Sequence, residues 1–183
     1  MSPSKGRAGG TEIANKDEEV YAAFALYLIG MEVANVDGKI DNTELRAIFS
    51  TAERASEICF SGLVKRVTNM LAGAIDQKPQ SRPLTKLIKT YALDHENVFW
   101  KVRSHLETLP QEDYMRYLFT AHIMVEQVSA VSADRQPGLQ SKGRYGAARL
   151  HIGLMALGVN VSSSEMFAWI EKNGYGTADA DRI

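Results

Sequence analysis

The chain has 183 residues, 45% of them hydrophobic, and a formal net charge of -1. A single domain of this size can bury a substantial core. The balanced charge argues against nucleic-acid binding, because neutralising phosphates needs a clear excess of lysine and arginine on one face. The small basic clusters, Lys65 with Arg66 and Lys86 with Lys89, are interpreted as solvated helix faces. Cys59 is the single cysteine, which excludes an internal disulfide, and its apolar neighbours favour a buried, inert thiol.

The first residues are small, polar and rich in glycine, so residues 1–14 are predicted to form a disordered tail. The most apolar run, residues 20–31, is too short to span a bilayer and lacks a basic flank. We therefore expect a buried core helix there and no membrane span. No secretory signal is visible, and the cytoplasm is the expected location. The folded domain is expected to cover residues 15–174, with a flexible tail at 175–183.

Apolar residues recur at helical spacing, and no segment of comparable length alternates as a strand would. We predict an all-α fold, a single compact helical domain of about seven to nine helices around two buried central helices. The central helices are expected to end near Asn35 and Ser132. The predicted helices cover residues 18–35, 41–55, 56–75, 83–93, 94–106, 110–132, 141–157 and 162–172. The predicted core comprises Phe24, Leu28, Met31, Leu45, Ile48, Leu63, Leu118, Phe119, Met124, Val128, Leu150 and Leu154.

The most informative segment is the acidic turn at residues 33–45, which places three carboxylates and an amide around Gly38. Aligned by that glycine on the calcium-loop pattern, it offers oxygens at the third, fifth, seventh, ninth and twelfth positions. Val33 stands at the first position, which normally carries an aspartate, so we expect poor calcium affinity. The candidate metal ligands are the side chains of Asn35, Asp37, Asp41 and Glu44 and the carbonyl of Lys39.

A structural interpretation competes for the same carboxylates. Asp41 precedes a predicted helix and Glu44 follows three residues later, which is the capping-box pattern. Asp41 would accept a hydrogen bond from the Glu44 N–H, and Glu44 would fold back to the Asp41 N–H. Asp37 and Gly38 would form the preceding turn, with Gly38 at positive φ. A Glu44 that folds onto its cap cannot also hold an ion, and of the two interpretations the cap is preferred.

The acidic turn follows an apolar helix and precedes apolar residues at helical spacing. Its pattern is Ala34-x-x-Asp37-Gly38-x-Ile40-Asp41-x-x-Glu44, followed by Leu45 and Ile48. This pattern resembles the first signature of the TerB-like domain of tellurite-resistance and related bacterial stress proteins. The resemblance implies an all-α fold, no established catalytic activity, and acidic positions suspected of engaging a divalent metal ion. Those positions would be Asp37, Asp41 and Glu44.

The second half of the chain departs from the family pattern. Residues 132–134 match the start of a second acidic turn, but Arg135 replaces the glycine, and the acid that would open the next helix is missing. Residues 150–159 resemble the closing helix of the family. The basic loop at 138–146 has the glycine spacing of a P-loop. Arginine and tyrosine occupy its lysine and hydroxyl positions and no strand precedes it, which argues against nucleotide hydrolysis.

The expected function is a non-enzymatic stress-response interaction module with protein partners, membrane-associated partners included. A divalent metal ion, weakly bound at the acidic turn, is the one cofactor considered. The alternative is a small helical enzyme or ligand-binding domain with an apolar interhelical pocket. A deep cavity lined by perturbed ionisable groups would favour the alternative, and a closed core with an acidic surface patch would favour the interaction module. No catalytic residue is assigned, because serine, cysteine and histidine show no nucleophile motif. The sequence does not define the oligomeric state.

Overall fold

A computed structural model of the protein describes residues 9–35, 39–58, 62–90 and 95–133. These residues confirm the predicted all-α class, because they form helices and turns and contain no strand. The helices are α1 (Gly9–Ala34), α2 (Asn42–Ile58), α3 (Gly62–Ala72), α4 (Arg82–Thr90), α5 (His95–Leu106) and α6 (Gln111–Ala133). A short 3-10 helix, Pro79–Ser81, leads directly into α4.

Several helix boundaries differ from the prediction, among them the end of α3, which lies at Ala72 rather than at residue 75. The backbone of α1 is helical from Gly9, whereas the sequence placed the helix start at residue 18. Extending an existing helix costs less than starting a new one, so the helix can run past the predicted start even though Gly9 and Gly10 are weak helix formers. Ser56 was expected to begin a new helix but lies inside α2, which continues to Ile58. The next helix starts at Gly62.

Several predictions fall on residues that the structure does not describe. The helices expected at 141–157 and 162–172 lie outside the described residues, and so does the full helix count that depends on them. The same is true of residues 1–8 of the predicted tail, of Cys59 and of the basic loop at 138–146. Among the described helices, none has the combination of length and apolar character that crossing a bilayer requires.

The apolar core of the described residues draws on all six helices. The long helices α1 and α6 each bury side chains on most of their surface, and they contact each other. Met31 and Leu45 are partly buried against the core, and Leu150 and Leu154 lie outside the described residues. The other predicted core residues are all buried, namely Phe24, Leu28, Ile48, Leu63, Leu118, Phe119, Met124 and Val128.

One buried hydrogen bond joins the two long helices. The Tyr117 hydroxyl on α6 donates to the Ala22 carbonyl oxygen on α1 over 2.7 Å, and the Tyr117 side chain is fully buried. Burial raises the pKa of the Tyr117 phenol well above its ordinary value, because the charged phenolate would lose its hydration. Alanines at 22, 23 and 25 are fully buried beside this contact, and small residues allow helices to approach closely.

The acidic turn connects two helices that approach each other closely. A Cβ atom added at Gly30 on α1 would lie 2.7 Å from Cγ1 of Ile48 on α2. Ile48 is fully buried, so a larger residue at position 30 would force this packing apart. The contact holds α2 at Ile48 against α1 at Gly30, within two helical turns of the connection on each side.

Candidate functional site

The acidic turn ends in a capping box at the start of α2. Asp41 Oδ1 accepts hydrogen bonds from the backbone N–H groups of Thr43, at 2.7 Å, and of Glu44, at 3.0 Å. In return, Glu44 Oε2 accepts from the Asp41 N–H at 3.1 Å. The Asp41 carbonyl also receives the first intrahelical bond, from the Leu45 N–H. These bonds confirm the predicted cap, and they satisfy amide groups that a helix start otherwise leaves unpaired.

Burial of Glu44 strengthens this cap. The side chain is only 4% exposed, although a glutamate in the first turn of a helix usually lies in solvent. A buried carboxylate needs hydrogen bonds to offset the loss of hydration, and the Asp41 N–H supplies one of them. The negative charge also lies at the positive end of the helix dipole of α2. The carboxylate therefore has a structural role that requires no bound ion.

The predicted metal ligands are only partly brought together. Asp41 and Glu44 lie side by side in the cap, and Asn35 is exposed just after the end of α1. Asp37 and Gly38 lie outside the described residues, so the described part of the turn does not test the complete ligand set. Within the described ranges, no group of three histidine, cysteine, aspartate or glutamate side chains is close enough to hold a metal ion.

A cation at this turn would compete with the cap for oxygen atoms. Oδ1 of Asp41 already accepts two backbone N–H groups, and Oε2 of Glu44 accepts a third. A hard divalent ion needs about six to eight oxygen ligands, and bidentate binding by Glu44 would break its bond to the Asp41 N–H. The described residues thus fit a helix cap better than a cation cage.

Acidic residues of α1 contact basic residues on other helices, which the sequence patterns did not indicate. His105 Nδ1 on α5 lies 2.8 Å from Glu18 Oε2, at ion-pair distance but without hydrogen-bond alignment. The Arg66 side chain on α3 donates to Glu19 Oε1 over 2.7 Å. His105 is nearly fully buried, whereas Arg66 is mostly exposed, so the second pair contributes little to stability. Such pairs join residues that are far apart in sequence, so no local motif predicts them.

A basic groove runs along α4. It encloses about 410 Å³ and is lined by Gln77, Arg82, Thr85, Lys86, Lys89 and Thr90. The sequence predicts an ordinary solvated face for Lys86 and Lys89, and the structure places Arg82 in the same groove. Their spacing places all three cations on one side of a helix, and this was the signal that could have indicated a common surface.

Comparison of the chain with protein-family models, curated proteins and solved structures found no match.

Proposed function

We propose that this chain is a non-enzymatic, TerB-like interaction module of a bacterial stress response, which binds a protein partner through the turn between α1 and α2. Supporting this proposal is an exposed apolar side chain directly before the capping box of α2, whose backbone N–H groups are hydrogen-bonded. Ile40, which immediately precedes the cap residue Asp41, is 39% exposed. Partner proteins that carry a complementary apolar contact, membrane-associated proteins included, could bury it.

The capping box supplies the rigidity that such a surface needs. Three backbone N–H groups are held by the carboxylates of Asp41 and Glu44, so the backbone beside Ile40 has little freedom to lose on binding. Binding surfaces whose conformation is already fixed lose less entropy on association than mobile loops do. The observation that carries the proposal is thus an exposed isoleucine next to the capped start of α2.

We further propose that α1 and α6 form the centre of the domain and that its function is carried on the surface. Ala22, Ala23 and Ala25 of α1 and Tyr117 of α6 are fully buried, and the Tyr117 hydroxyl bonds to the Ala22 carbonyl. An enzyme or ligand-binding domain with an apolar interhelical pocket would need open apolar space instead. The groove on α4 is lined by polar and cationic residues, five of the six from one helix, so it is not an apolar interhelical pocket.

The proposal is tested by affinity recovery of partners from an extract of the source organism. Three baits are compared: the unaltered protein, Ile40→Ser, and the matched control Ile75→Ser. Ile75 follows α3 and is 48% exposed, so both variants remove an exposed isoleucine. Because part of an isoleucine's burial energy is lost, we expect Ile40→Ser to recover the partner about fivefold less well. The Ile75→Ser bait should recover it normally.

Two results would contradict this function. The first is the absence of any reproducible protein partner. The second is equal recovery by the Ile40→Ser bait and the unaltered protein, which would remove the acidic turn from the interface. Circular dichroism of each bait before the experiment excludes misfolding as a cause of lost binding.

A further inference from the structure

We propose that the basic groove on α4 binds a small ligand that carries two or more phosphoryl groups. This site is separate from the acidic turn and does not depend on the proposed protein partner. Three of its six lining residues, Arg82, Lys86 and Lys89, are cations with exposed side chains, and none of the lining residues is acidic. A concave surface with charge of one sign concentrates ligands of the opposite sign.

The spacing of the cations indicates more than one phosphoryl group. Arg82, Lys86 and Lys89 are separated by four and then three positions, which places them along one face of α4. At a rise of about 1.5 Å per residue, the first and last are about 10 Å apart along the helix axis. A single phosphate could contact both ends of such a row only if Arg82 and Lys89 converged on one point, whereas a chain or pair of phosphoryl groups can span the row.

The helix that carries the cations is held firmly against the rest of the domain. Leu84 is fully buried and anchors α4 in the core. Ser81, also fully buried, donates its hydroxyl to the Met70 carbonyl oxygen over 2.7 Å and so ties the start of α4 to α3. A Cβ atom at Gly73 would lie 2.6 Å from Ser81 Oγ, which shows how closely the two segments approach. The groove is therefore formed before any ligand arrives, which lowers the entropy cost of binding.

Gln77 lines the groove from an unusual backbone position. Beyond α3, the Lys78 N–H donates to the Gly73 carbonyl and the Gln77 N–H to the Ala74 carbonyl, which is the bond pattern of a Schellman motif. Gln77 occupies the left-handed position of that motif with φ of 52°, where glycine is usual. The glutamine brings an amide NH₂ donor to the groove, which glycine could not do.

The donors available to an anion are mainly the charged ones. The Thr85 hydroxyl donates to the Ser81 carbonyl and the Thr90 hydroxyl to the Lys86 carbonyl, so both hydroxyl protons serve the backbone. The remaining lining donors are the Arg82 guanidinium, the two lysine ammonium groups and the Gln77 amide. Arginine can contact a phosphoryl group through two parallel N–H groups, and lysine acts as a point charge.

The size of the groove and the overall charge favour a small ligand over a nucleic acid. A volume of about 410 Å³ lies in the range of small-molecule sites. A nucleic acid would need a longer basic face, and the chain as a whole has a net charge of -1.

Titration calorimetry with inorganic tripolyphosphate and with orthophosphate tests the proposal, at an ionic strength of about 0.15 M that screens long-range attraction. The unaltered protein is compared with Lys86→Gln/Lys89→Gln and with the control Arg46→Gln/Arg54→Gln. The control removes the same charge from exposed positions of α2. We expect the groove variant to bind tripolyphosphate about tenfold more weakly, and the control to differ from the unaltered protein by less than about twofold. Orthophosphate should bind more weakly than tripolyphosphate.

Gln77→Gly separates a binding role from a structural one. Glycine relieves the left-handed backbone, so thermal stability should be unchanged or higher, while removal of the amide should weaken tripolyphosphate binding by about twofold to fourfold. Circular dichroism of each variant monitors folding.

Phosphatidylcholine vesicles containing a bisphosphorylated phosphatidylinositol distinguish a lipid headgroup from a soluble ligand. Vesicle binding that tripolyphosphate displaces supports the groove and assigns it to a headgroup. Tripolyphosphate binding without vesicle binding also supports the groove as a binding site, and it indicates that the natural ligand is soluble. No tripolyphosphate binding, equal losses in the groove and control variants, or a preference for a single-stranded oligonucleotide would overturn the proposal.

Discussion

The contact between α1 and α6 and the turn that begins α2 are stabilised over very different distances along the chain. Tyr117 reaches the Ala22 carbonyl across 95 positions and is fully buried. Asp41 and Glu44 exchange bonds across three positions. The first contact exists only when the whole core is assembled, whereas the second can form as soon as α2 begins to fold.

This difference separates residues that define the fold from residues that define one local structure. Loss of a large side chain between two buried helices leaves a cavity in the core, and its cost depends on how far the surroundings can relax. Loss of a cap exposes a few amide groups that water can also satisfy. Substitutions in the two regions should therefore differ in the size of their effect and in its dependence on pH and metal ions.

Tyr117→Ala should produce the largest effect. Removing this buried ring from α6 should lower the free energy of unfolding by about 3 to 5 kcal/mol, because it creates a cavity and also removes the bond to Ala22. Urea denaturation followed by circular dichroism measures the change. Trp100→Ala is the control, because this tryptophan is 40% exposed and its loss should cost about 1 kcal/mol or less. Equal costs for the two variants would show that the α1–α6 contact is not a principal support of the fold.

Tyr117→Phe should have a smaller effect that changes with pH. Below about pH 10 the variant loses one buried hydrogen bond, worth about 1 kcal/mol. The pKa of Tyr117 is raised in the folded state, so the unfolded chain releases its phenol proton first as pH increases. The unaltered protein therefore loses stability above about pH 10, and phenylalanine at this position does not contribute to that loss.

The advantage of tyrosine over phenylalanine should accordingly disappear within about one pH unit above pH 10. Urea denaturation of both proteins at a series of alkaline pH values measures the difference. Burial also raises the pKa of Tyr27 and Tyr114, but these residues are present in both proteins and their effects cancel in the comparison. A stability difference that stays constant with pH would show that Tyr117 does not titrate differently on unfolding.

The two regions also differ in what the sequence could reveal. The cap follows from Asp41 and Glu44, which are three positions apart, and this local pattern was sufficient to predict their bonds. Helical periodicity likewise located most of the buried residues, since burial of one helix face is a local pattern. The pairing of Tyr117 with Ala22 was not predictable, because it depends on how two distant helices align.

The groove on α4 was predictable in part, unlike the cap, which was fully predictable, and the Tyr117–Ala22 contact, which was not. The spacing of its three cations is visible in the sequence, but the concave shape requires the left-handed turn at Gln77 and the close approach of Ser81 to Gly73. The polar, proline-containing stretch at 76–83 predicts a connection, but glutamine is not a typical residue for a left-handed helix end, so the sequence does not predict the left-handed position itself. The composition of the acidic turn predicts a cation site. Its described carboxylates, however, accept hydrogen bonds from backbone N–H groups.

Asp41→Ala should have an effect no larger than that of Tyr117→Phe at neutral pH. Loss of the cap should lower the free energy of unfolding by about 1 kcal/mol, because the N–H groups of Thr43 and Glu44 lose their acceptor. Asp41→Asn is the matched control, since asparagine caps helices about as well as aspartate does. If the acids serve only the cap, the cost of Asp41→Ala should be the same with and without divalent ions. A cost that grows when an ion is added would show that Asp41 supports a cation site.

Titration calorimetry with calcium, magnesium, manganese and zinc completes this comparison. An ion that binds through both oxygens of Glu44 must break the Oε2 bond to the Asp41 N–H, so ion binding and capping oppose each other. We therefore expect the unaltered protein to show small heats of ion binding or none. Any heat that is present should be lost in Asp37→Ala/Glu44→Ala if it arises at this turn. Unchanged heats in the double variant, or none from the unaltered protein at millimolar ion, would exclude intrinsic metal binding here. Tight binding lost in the double variant would instead show that the cap opens to admit an ion, because the same carboxylate oxygens cannot serve both partners at once.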